Sequence, residues 1–204
     1  MKFAKVTNMQ EIKEISKAIC RTVKLEPCIE GLFICNHPFT NSLYVLSKDM
    51  QLLDLAVAEN LPKWYEFIDE RIDSWTNINS LLCMIERGWL LSLLCYYLPY
   101  LSEEDAATYL KDAWQRNEAP NTFNGLDTIR DLFKCLNKKY LMSDTELATY
   151  NALPEKVTLY RGEGSKSGVN GLSWSLNKEQ AQWFADRFNA GGIVKEKVVS
   201  KKKT

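Results

Sequence analysis

The residues best suited to chemistry lie near the C-terminal end of the sequence. Val157-Thr158-Leu159-Tyr160-Arg161-Gly162 is a β-prone run that closes on an arginine and a glycine. The guanidinium is a planar fork suited to phosphate or ribose oxygens. The glycine lets its backbone N–H and C=O approach a ligand with no side chain in the way. Gly171-Leu172-Ser173-Trp174-Ser175 follows, and as a strand it places both serine hydroxyls on one face and the indole on the other. Residues 178–188 then carry a helical pattern with Trp183 and Phe184 in it, and Asn177 stands where a cap is needed.

A strand ending in Arg-Gly, a Ser-Trp-Ser strand and a helix with a Trp-Phe-Ala core, in that order, resemble the nucleotide-binding half of the ADP-ribosyltransferase fold. The resemblance implies NAD as substrate. It implies that Arg161 and Gly162 hold the ribose or phosphate oxygens and the carboxamide, that Ser173 and Ser175 orient the nicotinamide ribose, and that Phe184 stacks on the ligand. It also implies transfer of ADP-ribose to a protein or other macromolecule, in a class of small intracellular proteins often carried by bacteria, phages and mobile elements, toxins among them.

Cleaving the nicotinamide–ribose bond develops oxocarbenium-like charge and calls for a carboxylate near the ribose 2-hydroxyl. In the family that group is a glutamate on a later strand, in a Glu or Gln-x-Glu pattern. Here the pattern continues through a strand over residues 193–199 and the sequence stops at Thr204, so the resemblance is to the C-terminal part only, and is incomplete. No catalytic residue is identified. Glu163 and Glu196 are the nearest substitutes, and neither stands in the family's place. Two explanations fit: a truncated reading frame, or a sheet completed by the helical part or by a partner. The competing reading is a non-catalytic module whose helical face engages a partner protein and whose C-terminus is a degenerate remnant.

Other chemistries find less support. Cys35 and His37 lie two apart and could share a strand face, but such neighbours rarely reach one another as nucleophile and base, and the sequence has no second histidine. Gly162-Glu163-Gly164 lacks the third glycine and the strand-to-helix setting of a dinucleotide fingerprint, and there is no P-loop. Cys20, Cys28, Cys35, Cys83, Cys95 and Cys135 sit in apolar patterns without a C-x-x-C pair, which reads as buried free thiols and no metal site. That thiol usage, together with an N-terminus that runs straight into a polar helix, points to a reducing, cytoplasmic setting.

The elements that must position the candidate residues divide by glycine usage. Gly31, Gly88 and Gly125 are the only glycines before residue 157, whereas Gly162, Gly164, Gly168, Gly171, Gly191 and Gly192 crowd the remainder. The reading is an α+β chain: a mainly helical bundle over residues 1–153 and a small ADP-ribosyltransferase-like β/α segment over 154–204. Helical stripes are expected at Ile12, Ile15, Ile19 and Val23 behind a Thr7–Gln10 capping box, and at Leu43, Leu46, Met50, Leu53 and Val57. Further stripes fall at Trp64, Phe67, Ile68, Ile72 and Trp75, and through the apolar run Ile78 to Leu98. Three more are Ala106, Leu110 and Ala113 behind Ser102; Leu126, Ile129, Phe133 and Leu136; and a short helix behind a Ser143–Glu146 capping box. Residues 31–35 read as a brief strand. The run at 78–98 is divided by Glu86-Arg87, too short an apolar stretch to span a membrane, and is expected to be a central core helix. Net charge is zero, and the lysines from Lys195 onward read as a solvated end, with no nucleic-acid or membrane partner implied.

Overall fold

In the computed structural model the described residues are 2–27, 33–117, 125–164, 171–187 and 191–201. The chain is α+β and divides into two units, Met1–Leu141 and Met142–Thr204. The short helix behind Ser143 therefore belongs with the glycine-rich part rather than with the bundle.

Helix α1 (Met9–Cys20) packs against α2 (Leu61–Asp73) and α4 (Leu90–Tyr97), and α4 packs in turn against α5 (Glu103–Arg116). The fully buried side chains that join them include Ile12, Trp64, Ile72, Leu90, Leu94, Tyr97, Tyr109 and Leu110. Those on α1, α2 and α5 lie on one face of an amphipathic helix, whereas α4 is buried nearly all round, from Leu90 to Leu94 and at Tyr97. The buried face of α1 is Ile12, Ser16 and Cys20, with Ile15 and Ile19 flanking it rather than central. Its cap is Asn8, whose side chain accepts the Glu11 amide at 3.3 Å, in place of the expected Thr7. Thr7 instead accepts the Ser102 amide at 2.9 Å and donates to Asp105, which ties the start of α1 to the capped start of α5.

Two expected helical stretches are corrected. Residues 43–57 form a hairpin: β3 (Tyr44–Leu46) pairs antiparallel with β4 (Leu52–Asp54). The turn is closed by Ser47 amide to Gln51 carbonyl at 2.9 Å and Met50 amide to Ser47 carbonyl at 3.0 Å, with Met50 in the left-handed region at φ 60°. A left-handed residue stops a helix and suits a hairpin turn. The apolar run at 78–98 is split into α3 (Ile78–Met84) and α4, bent by 119°. The cause is local. The Glu86 amide, which would continue α3 by bonding to Leu82, bonds to the Pro38 carbonyl at 2.8 Å, and Arg116 takes the Leu82 carbonyl at 3.1 Å. Ile85 and Leu93 are buried as expected, and no single helix among the described residues is long and apolar enough to cross a membrane.

Residues 33–35 are a strand, β2 (Phe33–Cys35), paired antiparallel with β1 (Leu25–Pro27); Gly31 and Leu32 lie outside the described residues, as does Cys28. His37 is buried in the turn beyond β2, edge-on to Trp64. Its Nε2 lies 3.0 Å from the Ile19 carbonyl and its Nδ1 accepts the Phe39 amide, a pattern that requires the neutral ring. Burial lowers its pKa, and burial raises that of Cys35, whose Sγ points to the Thr40 carbonyl. Neither group is poised as base or nucleophile for the other. The thiols of Cys83 and Cys135 are exposed, not buried as expected.

Helices α6 (Gly125–Cys135) and α7 (Lys138–Leu141) complete the first unit, α6 burying Ile129 and Leu132. The second unit opens with α8 (Asp144–Ala152), capped by the expected Ser143–Glu146 box, followed by β5 (Lys156–Glu163), α9 (Lys178–Asp186) and β6 (Ile193–Ser200).

Two tyrosines in the first unit's core differ in one respect. Tyr97 Oη lies 2.9 Å from Ser16 Oγ, which itself donates to the Ile12 carbonyl, whereas buried Tyr109 Oη meets no hydrogen-bond partner among the described residues. A buried polar group without a partner carries its full desolvation cost. Tyr109→Phe is therefore expected to be neutral or to stabilise, and Tyr97→Phe to destabilise by about 1 kcal/mol. Urea midpoints of the two variants check this, and equal losses in both would refute it.

Candidate functional site

β5 and β6 form an antiparallel hairpin in which Arg161 stands directly opposite Lys195, Gly162 opposite Val194 and Glu163 opposite Ile193. Side chains alternate between the two faces. Arg161, Glu163 and Lys195 thus share one face, and Gly162 belongs to the other.

The Gly162 face is taken up by α9. A Cβ on Gly162 would lie 2.0 Å from the Ala181 carbonyl oxygen and 2.5 Å from the Ala185 amide nitrogen; one on Gly192 would lie 2.3 Å from the Glu163 carbonyl oxygen and 2.4 Å from that of Ala185. Ala181 and Ala185 are buried, and both belong to the helix face that meets the hairpin. Gly162 is therefore required for helix-to-strand packing, a role that differs from the open approach to a ligand expected of it. Phe184 leaves α9 beside Gly162, half exposed and edge-on to the exposed Trp183, on the side of β5 opposite Arg161.

On the other face, Arg161 Nη1 donates to the Ser173 carbonyl at 2.8 Å, and its Nε lies 3.2 Å from Glu163 Oε1. The guanidinium lies where a side chain on Gly171 would be, 1.8 Å from the position of a Cβ there. Lys195 Nζ lies 2.6 Å from Glu163 Oε2. The Glu163 side chain is only 8 % exposed, against 17 % for Arg161 and 38 % for Lys195. Burial alone pushes the Glu163 carboxyl up, but the hydrogen bonds and charges of Lys195 and Arg161 outweigh it and leave the pKa below the ordinary carboxylate value.

The expected strand at 171–175 is corrected to an extended segment with one bridge, Ser175 to Tyr160, through two backbone bonds of 2.8 Å. The Arg161 side chain takes the Ser173 carbonyl that a ladder would otherwise use. Ser175 Oγ accepts the Asn177 amide at 3.0 Å and pairs with Gln180 at 2.7 Å, while Asn177 accepts the Glu179 and Gln180 amides as the cap of α9. Ser175 thus supports the helix start, and Ser173 is exposed. α9 ends at Asp186, and Phe188 lies outside the described residues. Of the residues singled out from sequence, the structure brings Arg161 and Ser173 together, adds Glu163 to them, and puts Gly162 and Phe184 behind the hairpin. Glu196 stands opposite Tyr160, on the face away from Arg161.

Lys195 departs from the solvated end that the sequence suggests: its ammonium is ion-paired on the Arg161 face. Strand alternation beyond Gly192, set against the Arg161 position, is the signal that could have found it. Lys201 likewise donates to the Asn151 and Leu153 carbonyls at 2.7 and 3.2 Å, the cation position favoured at a helix C-terminus. Lys202 and Lys203 lie outside the described residues. No family model, curated protein or solved structure matches this chain.

Two expectations follow from this geometry. Gly162→Ala places a methyl group against helix backbone that cannot yield, so it is expected to destabilise the second unit by about 1–3 kcal/mol or displace α9; a parental melting profile would contradict the packing role. Because Glu163 has a depressed pKa in the folded chain, the unfolded chain binds more protons as the pH falls. The stabilisation it provides is complete above the ordinary carboxylate value and is lost as the pH drops through the lowered one. Thermal melts between about pH 5 and pH 2 should show this loss in the parent and a flatter profile in Glu163→Gln.

Proposed function

We propose that the Met142–Thr204 unit binds NAD in the manner of an ADP-ribosyltransferase, with Arg161 as the anchor for ribose or phosphate oxygens, and serves transfer of ADP-ribose to a cytoplasmic macromolecule, as a phage or mobile-element activity against its host. The observation that carries this reading is the 2.8 Å bond from the Arg161 guanidinium to the Ser173 carbonyl. It joins the Arg-Gly strand to the Ser-Trp-Ser segment, two of the three motifs on which the resemblance rests, and the third, α9, follows directly. Ser173 is exposed, and its main-chain carbonyl is the group that the guanidinium holds.

The carboxylate needed for ribose chemistry is a separate matter. Glu163 shares the Arg161 face but is held by two cations, and Glu196 is on the opposite face. A carboxylate neutralised in this way stabilises a developing cation poorly. NAD binding is accordingly the primary function proposed, and slow release of nicotinamide is expected.

Calorimetric titration with NAD tests the reading. Arg161→Ala should weaken binding by about 1.5–3 kcal/mol, the range for a charged hydrogen-bonding group. Arg161→Lys should recover only part of it, because a point charge replaces a planar fork. Equal NAD affinity in the parent and Arg161→Ala would remove Arg161 as the anchor. Rapid nicotinamide release that disappears in Glu163→Gln would instead make Glu163 the catalytic carboxylate.

A further inference from the structure

Among the described residues of β5 and β6, the face that carries Arg161 holds three cations and one carboxylate. The register puts Arg161 opposite Lys195 and Leu159 opposite Lys197, so Arg161, Lys195 and Lys197 share a face with Glu163, three cations to one anion. Glu163 divides its oxygens between two of them: Oε1 faces Arg161 Nε at 3.2 Å, and Oε2 faces Lys195 Nζ at 2.6 Å. Two oxygens on one central atom, each held by a different cation, is also how a phosphate group sits between an arginine and a lysine. The carboxylate is nearly buried, whereas the two cations reach further into solvent, so an approaching anion meets the cations first.

We propose that Arg161 and Lys195 form a phosphate-binding cradle, that Glu163 is its resident counter-anion, and that a phosphate or pyrophosphate group of the ligand takes the place of the carboxylate. Lys195 is thereby a second phosphate-binding residue, and Glu163 a built-in competitor that weakens ligand binding. The identity of the ligand rests on the NAD reading above; the cradle itself does not. Exchange of one anion for another keeps both cations paired while the displaced carboxylate turns to solvent, whereas a simple opening of the ion pairs leaves all three groups without partners.

Inorganic pyrophosphate, titrated into the full chain at fixed salt, is the direct probe. Glu163→Gln should bind it roughly tenfold tighter than the parent, and Lys195→Ala roughly tenfold weaker, a step of about 1.4 kcal/mol each way. A folded Glu163→Gln that binds pyrophosphate no tighter than the parent would overturn the proposal. A second measurement needs no variant: NMR titration of the Glu163 carboxyl in the parent. At saturating pyrophosphate its depressed pKa should rise toward the ordinary carboxylate value as the carboxylate leaves its cations, and an unchanged titration at saturation would overturn the proposal equally. Pyrophosphate binding with these dependences, without NAD binding, would sustain the cradle and remove the NAD reading. NAD binding that pyrophosphate does not compete with would do the reverse.

Discussion

The second unit depends on how closely α9 approaches β5. Helix and strand backbones can come this near only where no Cβ intervenes, and the sequence supplies Gly162 and Gly192 on the hairpin against Ala181 and Ala185 on the helix. That contact assigns the two faces of the hairpin. One is filled by the helix; the other is left for Arg161, Glu163 and Lys195 because side chains in a strand alternate. The same contact fixes the far end of the segment 171–177, since Asn177 must cap α9 where the helix is held, and this brings the Ser173 carbonyl within reach of Arg161.

Electrostatics then decides what the open face can do. A carboxylate as enclosed as Glu163 is costly to leave unpaired, and removing one member of such a cluster is more harmful than the pair is stabilising. The surface pairs of the first unit differ. Lys48–Glu70 has both partners about half exposed and contributes little. Charge on the Arg161 face is therefore organised by burial and register, whereas between α1 and α2 it runs across the helix contact, from Lys17 to Asp73 and from Arg21 to Asp69.

Much of this architecture was legible in the sequence. Ser102 with its acidic first turn, the Ser143–Glu146 box, Pro62 at the start of α2 and Asn177 before α9 are local signals, and each marks a helix start in the structure. The failures have two causes, one a local turn and the other contacts that span the chain. Leu43, Leu46, Met50, Leu53 and Val57 satisfy a helical period, yet Val45 with Leu53 and Leu46 with Leu52 satisfy strand pairing as well, and only the left-handed turn at Met50 separates the two. The break after Ile85 depends on Pro38 and Arg116, both remote in sequence. No window of residues around Glu86 contains that information.

The candidate site shows the same division between residue type and residue placement. Arg161 is singled out not by its type, since an arginine ending a strand is usually just solvated, but by the order of three local motifs, Arg-Gly, Ser-Trp-Ser and the Trp-Phe helix. Ser173 and Glu163 are named with it, but that Glu163 pairs with Arg161 needs the alternation of β5, and Lys195 needs the pairing of β5 with β6 across some thirty positions. Composition groups Lys195 with Lys197 and Lys201 as a basic end, and average solvation is the natural reading of such a group. Register separates them: Lys195 meets a carboxylate, Lys201 closes the C-terminus of α8, and Lys197 shares the Arg161 face one pleat further along. A lysine in a strand is thus defined by the residue it stands opposite. On this hairpin that residue is the arginine from which the functional reading began.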